Sequence, residues 1–340
     1  MADLILEFLG GLFGNNTAAW GATPVEVIIA LLFLVIGFWG LIKGADIFVD
    51  SASQIAAKLK VPLIVIGLTI VAFGTSAPEA AISITSAFQG SAGIAVGNVL
   101  GSNIMNILLI LGISALICRL PVKKTTFRYE IPFVVVITAV LLGLGLWNSS
   151  LDRIDGFIFV ILFAVFMGYL IRLSKSGDSS AADDVPDIDE NASVPKMILF
   201  VILGIAMVVL GSDFTVSGAT KIAEIMGLEQ RIIGLTVVAF GTSLPELVTC
   251  IQAARKQKVD IAIGNIIGSN IFNILFVIGI SALVSPEPIA FSNTFIIDAA
   301  VAIGAAVLLW LLVLKNKRIS RLGGGVMLLC YAGYFVYLFI

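Results

Sequence analysis

The chain has 340 residues, of which 59% are hydrophobic and only 12% are charged, and its formal net charge is −2. Soluble domains carry about 25% charged residues, so this composition excludes an ordinary soluble domain and indicates an integral membrane protein built of helices. The chain has no basic stripe of the kind that binds nucleic acid. It also has no histidine, which removes the usual proton relay and the usual ligand of transition metals.

Apolar runs of about 20 residues recur along the chain and predict ten membrane-spanning helices. The predicted spans are Val25–Phe48, Val61–Phe88, Ile94–Cys118, Phe127–Trp147, Ile154–Ile171, Lys196–Ser217, Leu228–Ala254, Val259–Val284, Ile289–Leu314 and Leu322–Ile340. The expected fold class is therefore an all-α, multi-pass membrane protein that contacts the lipid bilayer of the cell membrane.

The basic residues predict the orientation of these spans. If the N-terminus lies outside, 17 of the 20 Lys and Arg residues fall on the inner side of the membrane. This asymmetry satisfies the positive-inside rule. Because the number of spans is even, both termini are expected outside.

The second half of the sequence repeats the first. Gly67–Leu116 aligns with Gly234–Leu283 without a gap and with 29 identities in 50 positions. We therefore predict two homologous five-helix halves, residues 1–174 and 196–340, joined by a flexible acidic cytoplasmic linker over residues 175–195. Five spans per half would invert the second half relative to the first, which is typical of secondary transporters with a binding site near the membrane midplane.

Each half carries a GTSxPE motif inside an apolar run, GTSAPE at residues 74–79 and GTSLPE at residues 241–246. Pro78 and Pro245 each remove a helical hydrogen bond and should free the carbonyls of Gly74 and Gly241. Polar groups at membrane depth survive where they line a cavity or bind an ion. Helical spacing places a small residue, a threonine and a glutamate on one face of each motif: Ala72, Thr75 and Glu79, and Ala239, Thr242 and Glu246.

A second motif follows each GTSxPE motif, GNVLGSNIMN in the first half and GNIIGSNIFN in the second. Helical spacing again pairs a serine with an asparagine on one face, and glycines one or two turns earlier should let these helices approach the GTSxPE helices closely. The paired residues are Ser102 with Asn106 and Ser269 with Asn273, and the glycines are Gly97, Gly101, Gly264 and Gly268.

Together the repeated motifs supply carboxylates, hydroxyls, amides and carbonyls, which are hard oxygen donors. This donor set favours calcium or sodium over zinc or copper. Two buried glutamates close together need neutralising cations, and one Ca²⁺ or two Na⁺ would balance their charge. Ser76 and Ser243 also repeat but are out of phase with the glutamates, so they are weaker candidates. No cofactor is expected beyond the transported calcium and sodium ions.

The paired GTSxPE helices, each followed by GNxxGSNxxN, resemble the α-repeats of the cation/calcium exchanger superfamily, in its sodium/calcium exchanger branch. The resemblance covers both halves and implies ten helices in two inverted repeats, with sodium entry driving calcium extrusion by alternating access. It implies that Glu79 and Glu246 are the central carboxylates. The flanking oxygen ligands that it implies are Thr75, Thr242, the carbonyls of Ala72 and Ala239, Ser102, Asn106 and Ser269. Some relatives have aspartate at position 273, and Asn273 departs from them.

Two other functions remain open at this point. A calcium/proton antiporter of the same superfamily would let Glu79 and Glu246 carry protons, although neutral asparagines stand where proton-coupled relatives tend to have a further acid. A calcium channel would need an open pathway and usually a ring of carboxylates. An enzyme is not expected, because the sequence shows no nucleophile paired with a base.

Overall fold

The structure, a computed structural model, describes residues 24–175, 193–226 and 239–338. The helices are α1 Pro24–Leu59, α2 Leu63–Thr75, α3 Ala77–Phe88, α4 Ala92–Ile117, α5 Thr126–Asn148, α6 Arg153–Lys175, α7 Val194–Ile225, α8 Ala239–Thr242, α9 Leu244–Arg255, α10 Val259–Val284, α11 Asn293–Leu314 and α12 Arg321–Tyr337. Four short strands are β1 Leu120–Pro121, β2 Ser150–Leu151, β3 Ile289–Ala290 and β4 Arg318–Ile319.

Within these described ranges, seven helices are long and apolar enough to cross a membrane, and the bent pair α2–α3 would make an eighth. Their outer faces expose large apolar side chains such as Ile154, Val165 and Trp147, as expected of helices that contact lipid. Helix α12 has only 17 residues, and the region before α8 lies outside the described residues. The count of ten spans therefore stays a prediction.

Four predicted span boundaries were wrong by a helical turn or more. Helix α7 continues past the predicted end at Ser217 to Ile225, and α6 continues past Ile171 to Lys175. Helix α1 continues past the predicted end at Phe48 and stops only at Leu59, because Val49, Ala52 and Ile55 keep one face of the helix buried. The predicted ninth span starts too early, since Ile289 lies in β3 and helix α11 begins only at Asn293. Most of the predicted linker, residues 176–192, and the first part of the predicted seventh span, residues 228–238, lie outside the described residues.

Each GTSxPE motif interrupts its helix at the serine. Helices α2 and α3 meet at Ser76 with a bend of 53°. Ser76 and Ser243 have nearly the same non-helical backbone angles, φ −82° and ψ 9° against φ −93° and ψ 7°. Pro78 and Pro245 then fall in the first turns of α3 and α9, where a missing N–H costs nothing. The break therefore places each glutamate in the first turn of a new helix.

Helices α4 and α10 form the centre of the molecule and are the most buried of the long helices. Each contains a widened π-helical segment, Asn106–Ile110 in α4 and Asn273–Ile278 in α10. Such segments often occur at functional sites. The segment in α10 packs against α3 and that in α4 against α9, so each reaches a helix that carries a motif glutamate.

The close helix approach predicted from glycines is confirmed on one side of the centre. A Cβ atom on Gly264 would lie 2.9 Å from Cα of Gly67, and one on Gly268 would lie 2.8 Å from Cα of Leu68, so α10 touches the backbone of α2. Around the corresponding Gly101, no atom of the described residues lies within 4 Å of such a Cβ. The segment that corresponds to Gly67 and Leu68, residues 234–235, is outside the described ranges.

Helices α1 and α7 pack along each other through glycines. A Cβ on Gly211 would lie 2.8 Å from the carbonyl oxygen of Gly37, and one on Gly44 would lie 2.9 Å from that of Gly204. These contacts make the two helices antiparallel, and small residues of this kind allow close helix packing in membranes. The two short ribbons β1–β4 and β2–β3 each join the N-terminal half of the chain to the C-terminal half; sequence analysis did not predict them.

Candidate cation-binding site

The two motif glutamates are fully buried and are reached by serines from the opposite motif. Ser76 donates a hydrogen bond of 2.7 Å to Oε1 of Glu246, and Ser243 donates one of 3.3 Å to Oε1 of Glu79. The two helix breaks therefore face each other. Helical phase makes these serines weaker candidates, because it relates each serine only to the glutamate of its own motif.

The second oxygen of each carboxylate has no hydrogen-bond donor in the described part of the chain. Oε2 of Glu79 and Oε2 of Glu246 are both buried and lack a hydrogen-bond partner among the described residues. A buried charged oxygen without a partner is costly, so such atoms call for a cation or a proton. Both glutamates also lie in the first turn of a helix, where the helix dipole favours negative charge.

The two threonines occupy different surroundings. Thr75 is buried, and its hydroxyl lies 3.1 Å from the carbonyl oxygen of Val71 and 3.0 Å from Oδ1 of Asn265. Thr242, the matching residue in the second half, is only half-buried and lines a cavity. Sequence identity at these positions therefore does not give them the same environment.

The carbonyls predicted as ligands are only partly available. The carbonyl of Ala72 accepts the Ser76 N–H at 3.0 Å, so one of its two lone pairs is in use. The carbonyl of Gly241, which Pro245 should free, accepts a hydrogen bond of 2.7 Å from the hydroxyl of Ser212 on α7. Ala239 is the first residue of α8, at the edge of the described residues.

The serine and asparagine residues of the second motif are also buried at the centre. Ser102 lies 3.4 Å from the hydroxyl of Ser243, which connects it to Glu79. The hydroxyl of Ser269 and the Oδ1 atoms of Asn106 and Asn273 have no partner in the part of the chain that the structure describes. All three are hard oxygen donors of the kind that calcium and sodium bind.

Sequence analysis missed the asparagines that hold this centre together. The side chain of Asn103 donates to the carbonyl of Asn270 at 3.1 Å, and the side chain of Asn270 donates back to the carbonyl of Asn103 at 3.3 Å. Asn265 contacts Thr75, and Asn98 donates to Ser83 at 2.9 Å. A signal was present, because all four asparagines are identical between the two halves.

A cavity of about 800 Å³ borders one side of the site. Its walls include Asn98 and Ser102 of α4 and Thr242 of α8. It extends along Leu34 of α1, Ala219 of α7 and Leu338, the residue that follows α12. It therefore runs from the site toward the end of the molecule where α1 begins and α7 ends. Ser102, in the wall of this cavity, lies 3.4 Å from Ser243, which donates to the buried Glu79.

The donor set has two carboxylates and several neutral oxygens. Across the described residues there is no group of three or more His, Cys, Asp or Glu side chains placed to hold a metal ion. The formal charge of −2 from Glu79 and Glu246 matches one divalent or two monovalent cations. This arrangement can hold a dehydrated hard cation without binding a transition metal tightly.

Comparisons with known proteins agree with this chemistry. The chain is 39% identical over 321 residues to the putative antiporter CaxA of Alkalimonas amylolytica, a match that covers 92% of this chain and 99% of that protein. It is 33% identical over 349 residues to the sodium/calcium exchanger MaX1 of Methanosarcina acetivorans, with 92% and 99% covered. A structure of the sodium-calcium exchanger NCX_Mj, soaked with zero Na⁺ and Ca²⁺, matches with a TM-score of 0.80 and 31% identity, covering 92% of this chain and 99% of that chain.

The sequence model of the family described as "Sodium/calcium exchanger protein" matches residues 29–172 and 196–340. The two matched segments span nearly all of both halves of the chain. The chain therefore belongs to the sodium/calcium exchanger protein family and is a multi-pass integral membrane protein.

Proposed function

We propose that the chain is a secondary antiporter that exchanges sodium for calcium by alternating access, at the site where the two GTSxPE motifs face each other. One observation carries this proposal: a set of buried oxygen atoms at the centre has no protein donor among the described residues. The atoms are Oε2 of Glu79, Oε2 of Glu246, Oδ1 of Asn106, Oδ1 of Asn273 and the hydroxyl oxygen of Ser269. A buried acceptor without a partner costs roughly 1–3 kcal/mol, and a bound cation would remove that cost.

Charge balance explains how two different ions can use one site. One Ca²⁺ neutralises Glu79 and Glu246, and two Na⁺ neutralise the same pair. Calcium and sodium therefore compete for the same carboxylates, which is the requirement for exchange at a shared site. The neutral oxygens of Ser102, Ser269 and the two asparagines would complete the coordination of either ion.

The proposal includes two inverted five-helix repeats with both termini outside. Helices α4 and α10 have matching ends in the repeat, since Ala92 aligns with Val259 and Ile117 aligns with Val284. The antiparallel packing of α1 against α7 is what an inverted second half requires. We keep the division into residues 1–174, 175–195 and 196–340 as part of the proposal, and the 17 basic residues on one side give the orientation.

The relatives support transport rather than chemistry. Their names describe an antiporter and sodium/calcium exchangers, and the match covers 99% of each of the two relatives and of the structure. The chain offers no histidine and no nucleophile–base pair. We therefore propose transported calcium and sodium as its ligands, with no cofactor.

The runner-up is exchange of calcium for protons at the same glutamates. Unpartnered carboxylate oxygens could accept protons as well as cations. However, the remaining unpartnered donors at the centre are amides and hydroxyls, which coordinate sodium but do not carry protons at neutral pH. This donor chemistry favours sodium as the counter-ion.

Uptake of radioactive calcium into proteoliposomes tests the proposal. We expect uptake when the vesicles are loaded with sodium and diluted into sodium-free medium, and little uptake with a proton gradient alone. Glu79→Gln protein in matched vesicles provides the control for leak. Uptake driven by protons but not by sodium would establish the runner-up, and uptake that needs neither gradient would indicate a channel.

A further inference from the structure

We propose that Asn103 and Asn270 are positioning residues that aim the amide oxygens of Asn106 and Asn273 at the bound cation. This inference rests on the proposed function, because it requires Asn106 and Asn273 to be cation ligands. Asn103 and Asn270 are not themselves assigned as ligands here. They act through their neighbours, and each does so across the boundary between the two halves.

The chemistry of the hydrogen bonds fixes the orientation of every amide in this group. The backbone carbonyl of Asn270 can only accept, so Asn103 must present its Nδ2 atom there, at 3.1 Å. The Oδ1 atom of Asn103 is therefore left for residue 273, and Asn273 donates its Nδ2 to it at 3.1 Å. An amide has only two ends, so the oxygen of Asn273 must point away from Asn103.

The same arrangement holds Asn106. Asn270 donates its Nδ2 to the carbonyl of Asn103 and accepts at Oδ1 from Nδ2 of Asn106, at 3.1 Å. The Oδ1 atoms of Asn106 and Asn273 are then buried and unpartnered within the described residues. A residue on α4 thus orients a ligand on α10, and a residue on α10 orients a ligand on α4.

Without these partners a ligand amide can turn over, so that its oxygen and nitrogen exchange places. The reversed amide presents its NH₂ group to the cation, which repels it, whereas the observed orientation presents the oxygen. Holding the oxygen in place before the ion arrives preorganises the site. The expected result of losing one positioning residue is weaker ion binding with the fold intact.

The arrangement also accounts for the residue type at position 273. An aspartate there would have two acceptor oxygens and would place one of them against Oδ1 of Asn103 at the distance of the present hydrogen bond. Asn103 could avoid the repulsion of an ionised aspartate by giving up its bond to the carbonyl of Asn270, and otherwise the aspartate would have to stay protonated to donate to Oδ1 of Asn103. Asn103 therefore favours asparagine over aspartate at position 273.

The alternative is that Asn103 and Asn270 only join α4 to α10. Double mutants separate the two roles. If Asn103 acts only by orienting Asn273, replacing Asn103 should have little further effect on ion binding once Asn273 has been removed. Replacing Asn103 with leucine removes its contact with Asn273 but keeps the bond that Asn270 makes to the backbone carbonyl of residue 103. Asn103→Leu should therefore disturb Asn273 and leave Asn106 in place.

The experiment measures the calcium concentration for half-maximal uptake, together with the maximal rate and the melting temperature of the purified protein. We expect Asn103→Leu to raise that concentration about 5-fold to 10-fold, the effect of one lost hydrogen bond. In an Asn273→Ala background, Asn103→Leu should change the calcium concentration for half-maximal uptake less than about 2-fold. In an Asn106→Ala background, which is the matched control, Asn103→Leu should still raise this concentration by the full amount. Asn273→Asp should impair uptake less when Asn103 is leucine than when it is asparagine.

The inference would be overturned if Asn103→Leu raised the calcium concentration for half-maximal uptake equally in the Asn273→Ala and Asn106→Ala backgrounds. It would also be overturned if Asn103→Leu lowered only the maximal rate or the melting temperature and left that calcium concentration unchanged. If Asn273→Ala binds calcium normally while Glu79→Gln is inactive, this inference fails and the proposed exchange stands. If Glu79→Gln still exchanges sodium for calcium, the proposed site itself fails. If Asn103→Leu does not accumulate in membranes, the same measurements are made with Asn103→Ala, and the same results decide between the two roles.

Discussion

The two sides of the proposed cation site carry matching residues, and two of the three matched pairs differ in exposure. On the side of α2 and α10, Thr75, Asn265 and Ser269 are all buried. On the side of α4 and α8, Thr242 and Asn98 are half-buried, and they line the cavity together with Ser102, which is itself buried. The difference therefore comes from the conformation and not from the chemistry of the residues.

This contrast indicates how one site could serve two sides of a membrane. If the repeats exchanged their environments, the side of Thr75 and Ser269 would open and that of Thr242 and Ser102 would close, with the same donors at the centre. The two conformations would place the same motifs around the centre, because the GTSxPE and GNxxGSNxxN motifs occur in both halves. A ligand can then shift the population by its difference in affinity for the two states.

One feature of the closed side has no counterpart in the sequence of the open side. Lys256 and Lys258, between α9 and α10, form ion pairs with Asp46 and Asp50 of α1 at 2.5 to 2.8 Å. In the other half, the residues that align with Asp50, Lys256 and Lys258 are Ser217, Gln89 and Ser91. The ion pairs therefore add stability to the closure of one side only.

The largest predicted effect tests whether the halves are equivalent at the centre. Glu79→Gln and Glu246→Gln should each reduce sodium-driven calcium uptake at least about 100-fold, because one carboxylate cannot neutralise Ca²⁺ and bidentate ligation is lost. Glu130→Gln is the matched control, since Glu130 is buried on α5 and bonded to Tyr169, away from the site. Uptake by one glutamine variant near the wild-type rate would show that the two carboxylates are not equivalent.

The next prediction measures the difference in exposure directly. In protein whose native cysteines have been replaced, Ser102→Cys should react with a small charged thiol reagent at least about 10-fold faster than Ser269→Cys. The reason is that Ser102 lines the cavity and Ser269 is fully buried. Both rates are measured without calcium or sodium, with denatured protein as the reference for full reactivity. Equal rates would mean that the two sides open equally often.

Much of the candidate site could be predicted from the sequence, because matching residues in the two halves can be identified by alignment alone. The identity of the halves selected Glu79, Glu246, Ser102 and Asn106 as candidates without a structure. A weakened helix near Ser76 was also foreseeable, because Pro78 removes a helical hydrogen bond to the carbonyl of Gly74. These features depend on local chemistry and on spacing along the chain.

Contacts between the halves could not be predicted in the same way. Helical phase excluded Ser76 from the face of Glu79 but gave no information about Glu246, which Ser76 contacts across the centre. The burial of Ser269 and the cavity beside Ser102 differ although the local sequences agree. A sequence repeat shows which residues the two halves share. The different surroundings of Ser269 and Ser102 belong to one conformation of the protein, so the repeat could not predict them.

The third prediction tests the close packing on the closed side. Gly268→Ala should destabilise this conformation by about 1–3 kcal/mol, because its new Cβ would lie 2.8 Å from the Leu68 backbone. Gly304→Ala is the matched control, because Gly304 is exposed on α11 and a Cβ there would meet no described neighbour within 4 Å. We expect a lower melting temperature for Gly268→Ala and nearly wild-type melting for Gly304→Ala. Wild-type melting of Gly268→Ala would contradict the close contact between α10 and α2.

The smallest predicted effect concerns the ion pairs of Lys256. Lys256→Gln removes pairs to Asp46 and Asp50 whose carboxylates are 40% and 46% exposed, so water screens them and each contributes only about 0.2–1 kcal/mol. Because the pairs tie α1 to the loop after α9, their loss should increase the reactivity of Ser269→Cys about 2-fold to 5-fold. The reactivity of Ser102→Cys should fall or stay unchanged.

Lys123→Gln separates this effect from a general loss of charge. Lys123 forms an ion pair of 2.6 Å with Asp260 of α10, two residues after Lys258, so this pair does not attach α1. Its removal should leave the reactivity of Ser269→Cys unchanged. High salt should imitate Lys256→Gln in the wild-type protein and have little further effect in the variant, since salt screens exposed charges. If Lys123→Gln opens the closed side as much as Lys256→Gln does, closure depends on the overall charge of this end and not on the attachment of α1.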